Sequence, residues 1–200
     1  LRSGGESVAF TRALAWRLRG WLLGLPAGIG FGTLRAILKL WCGFSSENSG
    51  VGSAGNGPAM RAPILGVWSA ARKLSPDETR ALVRASSRLT HTDPRALEGA
   101  LTIALATAYG VSLDHSAVDP QILIAYLQSQ VQGQELKAHL QTALDHLVRG
   151  ASTSEFVASL GLSRGASGYI NHTVPVALYC YLRWPGDFRK AIEDAILVGG

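Results

Sequence analysis

The 200-residue sequence predicts an all-α protein, a compact multi-helix bundle, and three observations carry that prediction. Apolar residues recur at three- and four-residue spacing in successive segments, the pattern of helices with one wet face. Several segments open on helix-start signatures. The clearest is Ser75-Pro76-Asp77-Glu78, with serine as N-cap, proline in the first turn and glutamate three residues on. No stretch has the alternation of a half-buried strand, and no internal repeat is found.

Taken in order, the first helix is expected from Glu6 to Leu23, with Val8, Ala15, Leu18 and Leu22 near one face and Arg12 and Arg19 on the other. Pro26 and alternating glycines break the chain from Leu25 to Gly32. Thr33 fits the N-cap of a second helix, Leu34 to Trp41, and Trp16, Trp21 and Trp41 are expected to fill core between the two. Phe44 to Ser53, rich in serine and glycine, reads as a loop, and a helix from Ala59 to Ala71 follows with Met60, Ile64, Val67 and Trp68 at core spacing. The helix capped by Ser75 runs to about Leu89. Thr90-His91-Thr92-Asp93-Pro94 ends it and starts the next, Arg95 to Tyr109, with Asp93 as N-cap. Val118 to Gln128 and Glu135 to Leu147 are amphipathic helices in a stretch that reads as scaffold. Ser152 and Glu155 cap a short helix, Phe156 to Leu160. Tyr169 to Arg183 is an apolar central helix with Pro175 in or near its first turn, and Asp187 caps the last, Phe188 to Val198.

Hydrophobic residues make up 47% and charged residues 16% of the chain, which excludes a disordered polypeptide, and the length suits a single domain over residues 1–200. The net charge of +5 is scattered rather than gathered into runs, which disfavours a nucleic-acid partner. The apolar stretch Gly20 to Gly32 is shorter than the roughly 20 residues a membrane span needs, and Pro26 interrupts it. No signal-peptide pattern opens the sequence. Cys42 and Cys180, without metal-ligand spacing, read as small core residues in a reducing compartment, so a cytoplasmic location without membrane association is expected.

The stretch with most chemical content is Ser53-Ala54-Gly55-Asn56-Gly57-Pro58-Ala59-Met60-Arg61. Gly55 and Gly57 leave Asn56 without flanking side chains, which permits positive φ and close approach of a ligand. Pro58 suits a first helical turn, and the N–H groups exposed there suit a phosphate or sugar hydroxyls. The structural alternative is a capped helix start with Asn56 in an Asx-turn.

Two further blocks accompany it: Leu89-Thr90-His91-Thr92-Asp93-Pro94-Arg95-Ala96 and Ser167-Gly168-Tyr169-Ile170-Asn171-His172-Thr173-Val174-Pro175-Val176-Ala177-Leu178. The chain closes on Gly186-Asp187-Phe188, Ala191-Ile192 and Gly199-Gly200. In this order and at these separations the blocks resemble the ADP-ribosylglycohydrolase family, which includes the dinitrogen-reductase-activating glycohydrolases and the ADP-ribosyl-acceptor hydrolases. The resemblance runs from about Arg12 to the last residue.

That resemblance implies the all-helical fold of the family and metal-assisted hydrolysis of the N- or O-glycosidic bond joining ADP-ribose to an acceptor. The cofactors it implies are two Mg²⁺ (in some members Mn²⁺) ions, and the implied partners are ADP-ribosylated proteins or small molecules. It assigns Gly55, Asn56 and Gly57 to the loop near bound ADP-ribose, His91 to the histidine of the family's Thr-His block, and Tyr169 to an aromatic lining the pocket. The family's metal ligands lie in an Asp-Asp-Thr-like run near its N-terminus and an Asp-x-Asp-Thr run directly after a Gly-Gly pair. Neither run occurs between Leu1 and Gly200. The expectation is therefore a central portion truncated at both ends, with no metal ligand of its own and its catalytic groups unassigned. The alternative is a non-catalytic relative that binds ADP-ribose or serves as scaffold. Of fourteen carboxylates most have a capping or surface explanation, Asp77 and Glu78 at a helix start among them; Glu193 and Asp194 are adjacent on a predicted helix, where neighbouring positions diverge, which makes a poor metal site. No Ser-His-Asp, zinc or Walker pattern is present.

Overall fold

A computed structural model describes residues 4–113, 118–162 and 165–199. Among these are ten helices: α1 (Gly4–Leu23), α2 (Phe31–Trp41), α3 (Gly57–Ala71), α4 (Pro76–Arg88), α5 (Pro94–Val111), α6 (Pro120–Gln130), α7 (Gln134–Val148), α8 (Thr153–Ser159), α9 (Ile170–Arg183) and α10 (Phe188–Leu197). The all-α expectation holds, with no strand among the described residues. None of the described helices is long and apolar enough to cross a membrane.

Local sequence explains most of the helix starts. Ser75 accepts from the Glu78 N–H and Glu78 accepts from the Ser75 N–H, a complete capping box, and Ser152 and Glu155 repeat it at α8. Asp93, Asp119 and Asp187 cap α5, α6 and α10 by accepting backbone N–H groups of the first turn.

The core is built on α5, which packs against α3, α4, α6 and α9. Its buried face is mostly small (Ala96, Gly99, Ala100, Ala104), so neighbouring backbones come close. A Cβ on Gly66 of α3 would collide with the Ala104 carbonyl oxygen, and one on Gly99 would strike the Ile170 side chain at the start of α9. Gly66→Ala gains helix propensity, about 1 kcal/mol, but a backbone oxygen cannot step aside. We expect a net loss of about 1–3 kcal/mol, measured as a lower urea midpoint. An unchanged midpoint would show that α3 can retreat from α5.

Several expectations are corrected. α2 starts at Phe31 with Gly30 as its N-cap, and Thr33 is a buried residue inside the first turn rather than the cap. Trp16, Trp21 and Trp41 are exposed, as is Val8; Ala15, with Leu14 and Leu18 beside it, packs α1 against Leu40 and Leu89. On α3 the large residues Met60, Ile64, Val67 and Trp68 face outward, Met60 and Ile64 each 76% exposed, while Pro58, Ala59, Ala62, Leu65, Gly66 and Ser69 are buried. Close packing on α5 selects the small face. Ile64, Val67 and Trp68 border an open cleft of about 900 Å³ shared with Phe10 and Leu74. Cys42 is exposed and Cys180 buried, both as free thiols, and burial pushes the Cys180 thiol up to about 11.

Pro175 lies inside α9, past its first turn. It has no N–H to give the carbonyl four residues back, which belongs to Asn171. That freed carbonyl accepts instead from His139 Nδ1 of α7 at 2.8 Å.

Candidate functional site

The loop before α3 is extended and stitched on both sides. Val51 pairs with His91 and Gly55 with Tyr169 as isolated bridges. The bonds are Val51 N–H to Thr90 O (3.2 Å), Thr92 N–H to Val51 O (2.9 Å), Asn56 N–H to Gly168 O (2.9 Å) and Ile170 N–H to Ala54 O (2.9 Å). The three blocks, far apart in sequence, thus share one backbone hydrogen-bond network, and Gly55, Asn56, Gly57, His91 and Tyr169 meet in one place.

The glycines serve close approach rather than unusual dihedrals, since neither Gly55 nor Gly57 has positive φ. A Cβ on Gly55 would lie 3.0 Å from His91 Nε2, one on Gly57 3.1 Å from His91 Cε1 and 2.8 Å from Thr33 Oγ1, and one on Gly32 3.2 Å from His91 Nε2. Three glycines thus pack closely about the imidazole, and a side chain at any of them would press on its ring. Ser53, not Asn56, shapes the turn: its Oγ accepts from the Gly55 N–H at 3.3 Å. Asn56 makes no side-chain cap, which corrects the Asx-turn alternative; its Nδ2 donates to Thr173 Oγ1 across the site at 3.4 Å.

His91 is 3% exposed. Burial, helped by the positive Arg61, pushes it down to about 4, against a smaller opposite pull from Asp93, so the ring is neutral at pH 7. Thr90 Oγ1 accepts from Arg61 Nη2 (2.7 Å) and lies 2.9 Å from His91 Nδ1. Thr90 Oγ1 also lies 3.5 Å from Ser87 O, so its proton has two acceptors, Nδ1 and that carbonyl, and the two choices set opposite ring tautomers. Arg61 also donates to Ser86 Oγ, Ser86 O and Gly57 O, each at 3.0 Å. Its guanidinium is therefore structural, tying α3 to the end of α4, and burial lowers it to about 10.

Tyr169 sits on the other flank, half-buried. Its hydroxyl donates to Glu135 Oε2 at 2.5 Å and lies 3.4 Å from Arg95 Nη1, while Arg95 forks onto Asp93. The His172 ring stands edge-on to Tyr169 at 4.8 Å. Sequence reading did not single out Gly32, Thr33, Thr90, Glu135, Asn171 or His172 as site neighbours. Thr90, Asn171 and His172 lie inside the quoted blocks, whereas nothing local marks Glu135.

Fold and site together define an all-α protein whose polar centre is an extended loop wedged between the starts of α5 and α9. The sequence model of the ADP-ribosylglycohydrolase family matches residues 1–200, and the chain belongs to that family. No curated protein matches it.

Members of the family use divalent metals, and the described residues do not fit that requirement. Among them no three His, Cys, Asp or Glu side chains come together. The better-placed carboxylates are already engaged: Asp93 with Arg95, Glu98 with Arg80 and the Gln132 N–H, Glu135 with Tyr169 and Asn171, Asp194 with Thr153, Trp184 and Arg183. Hard-cation binding needs convergent, uncommitted oxygens.

Proposed function

We propose that residues 1–200 form one helical domain that recognises the ADP-ribose moiety of an ADP-ribosylated protein or small molecule. In this reading the chain serves an ADP-ribosylglycohydrolase-type hydrolysis of the N- or O-glycosidic bond. The observation that carries the reading is the convergence of Gly55, Asn56, Gly57, His91 and Tyr169 on one hydrogen-bonded loop. The start of α3 offers backbone N–H groups to phosphate oxygens. Asn56, free of capping duty, offers an amide to ribose hydroxyls. His91, buried and neutral behind Gly55 and Gly57, supports the loop from beneath, and Tyr169 supplies a face for the ribose or adenine.

Calorimetry of the full chain with ADP-ribose tests it. Asn56→Ala should weaken binding about tenfold or more, the equivalent of about 1.4 kcal/mol, with the urea midpoint little changed because Asn56 makes no cap. Absence of heat from the wild-type chain would overturn the reading. A second reading, binding without hydrolysis by these residues, is favoured by the prior commitment of the described carboxylates. Mg²⁺-dependent release of ADP-ribose from a modified peptide by this 200-residue chain would exclude it.

A further inference from the structure

We propose that Glu135, on the otherwise motif-free helix α7, is a positioning residue that holds Tyr169 in place for ADP-ribose. This deepens the binding reading above and rests on it. Glu135 Oε2 accepts from the Tyr169 hydroxyl at 2.5 Å and from Asn171 Nδ2 at 2.9 Å. One turn along the same face of α7, His139 Nδ1 donates to the Asn171 carbonyl that Pro175 leaves free. Two residues of α7 at i and i+4 therefore grip the first turn of α9, where Tyr169 is bridged to Gly55.

The details fit positioning better than stability. Asn171 is buried at 2% exposure, and its Oδ1 finds no hydrogen-bond partner among the described residues. Flipping the amide would set that oxygen against the Glu135 carboxylate, so the carboxylate fixes the orientation at the expense of an unpaired acceptor. An apolar residue there would avoid that penalty. Tyr169 itself could not keep one ring pose by packing alone, since it is only half-buried, with Arg95 near one side and His172 edge-on. A charge-assisted bond to a fixed carboxylate supplies the missing restraint.

The groups facing this cluster are Asp93 and Arg95 from the α5 start, His139 from α7 and His172 from α9. Burial opposes ionisation of Glu135, but the bonds from Tyr169 and Asn171 and the two imidazoles outweigh it and hold its carboxyl low. Burial and the Glu135 bond hold the Tyr169 phenol high, against Arg95.

The test compares wild type, Glu135→Ala, Glu135→Gln and Tyr169→Phe as full chains, by ADP-ribose calorimetry and by ultraviolet titration of tyrosine. Glu135→Ala should weaken binding about tenfold, as Tyr169 loses its charge-assisted anchor. Glu135→Gln, whose amide oxygen can accept both bonds, should recover most of that loss. The titration assigned to Tyr169 by difference from Tyr169→Phe should move to lower pH in Glu135→Ala, which reports loss of the bond itself. Wild-type heat that persists within about twofold in Glu135→Ala, or an unmoved Tyr169 titration, overturns the positioning role alone. No wild-type heat overturns the binding reading and this proposal with it. If Glu135→Ala does not fold, the Tyr169 titration in the near-isosteric Glu135→Gln decides: it too should move down, because the charge is gone, and a fixed value overturns the role.

Discussion

Acidification from pH 7 to about pH 4 should remove about 3 kcal/mol of folding stability through His91 alone. The ring titrates near 6.5 when unfolded and near 4 in the folded chain, because burial and Arg61 oppose its charge. A depressed folded value means that the unfolded state binds the extra proton first. The contribution is thus complete above about pH 6.5 and is lost as pH falls toward 4. Urea unfolding across that window, wild type against His91→Gln, isolates the effect. His172 is also held low, by burial and by the nearby His139, so it adds a slope that both proteins share. Equal pH slopes in the two proteins would show that His91 is not protected from protons, and that the glycine cage is open to water.

Arg61→Met should cost about 3 kcal/mol, since hydrogen bonds to charged groups contribute about 1.5–3 kcal/mol each and do not add fully. The substitution keeps much of the side-chain length but removes the side-chain donor of Ser86 Oγ, Ser86 O and Thr90 Oγ1. Two consequences separate this from a packing defect. The His91 titration should rise, because the positive neighbour that opposes its protonation is gone. ADP-ribose binding should weaken as well, since the head of α3, beside Asn56, is no longer tied to Ser86 and Thr90. A loss under about 1 kcal/mol with an unmoved His91 resonance would show that the guanidinium is not the tie between α3 and α4.

These expectations draw unequally on what could be read along the chain. The caps at Ser75, Asp93, Ser152 and Asp187 were legible because a cap is settled within four residues. The three site blocks were legible as a set through their order and separation. Their contact was not, because it depends on backbone pairing of residues 51–56 with 90–92 and 168–170. Glu135 was illegible for the same reason: on α7 alone it is one polar residue in the first turn of an amphipathic helix, and only the approach of α9 gives it Tyr169 and Asn171.

The sequence by itself determined the all-helical class, most helix starts, and which residue types were available to meet a phosphate-bearing ligand. Those properties follow from spacing and from side chains bonding their own turn. The tertiary structure alone decided which face of each helix turned inward. Helix α3 carries two apolar faces at helical spacing, and transfer of area from water favours burying Met60, Ile64, Val67 and Trp68. The small face won, because Gly66 lets α3 lie against the Ala104 carbonyl of α5, a closeness that no large side chain permits. That approach carries the head of α3 to its place over His91. Hydrophobicity is a property of residues, whereas contact distance belongs to pairs of helices.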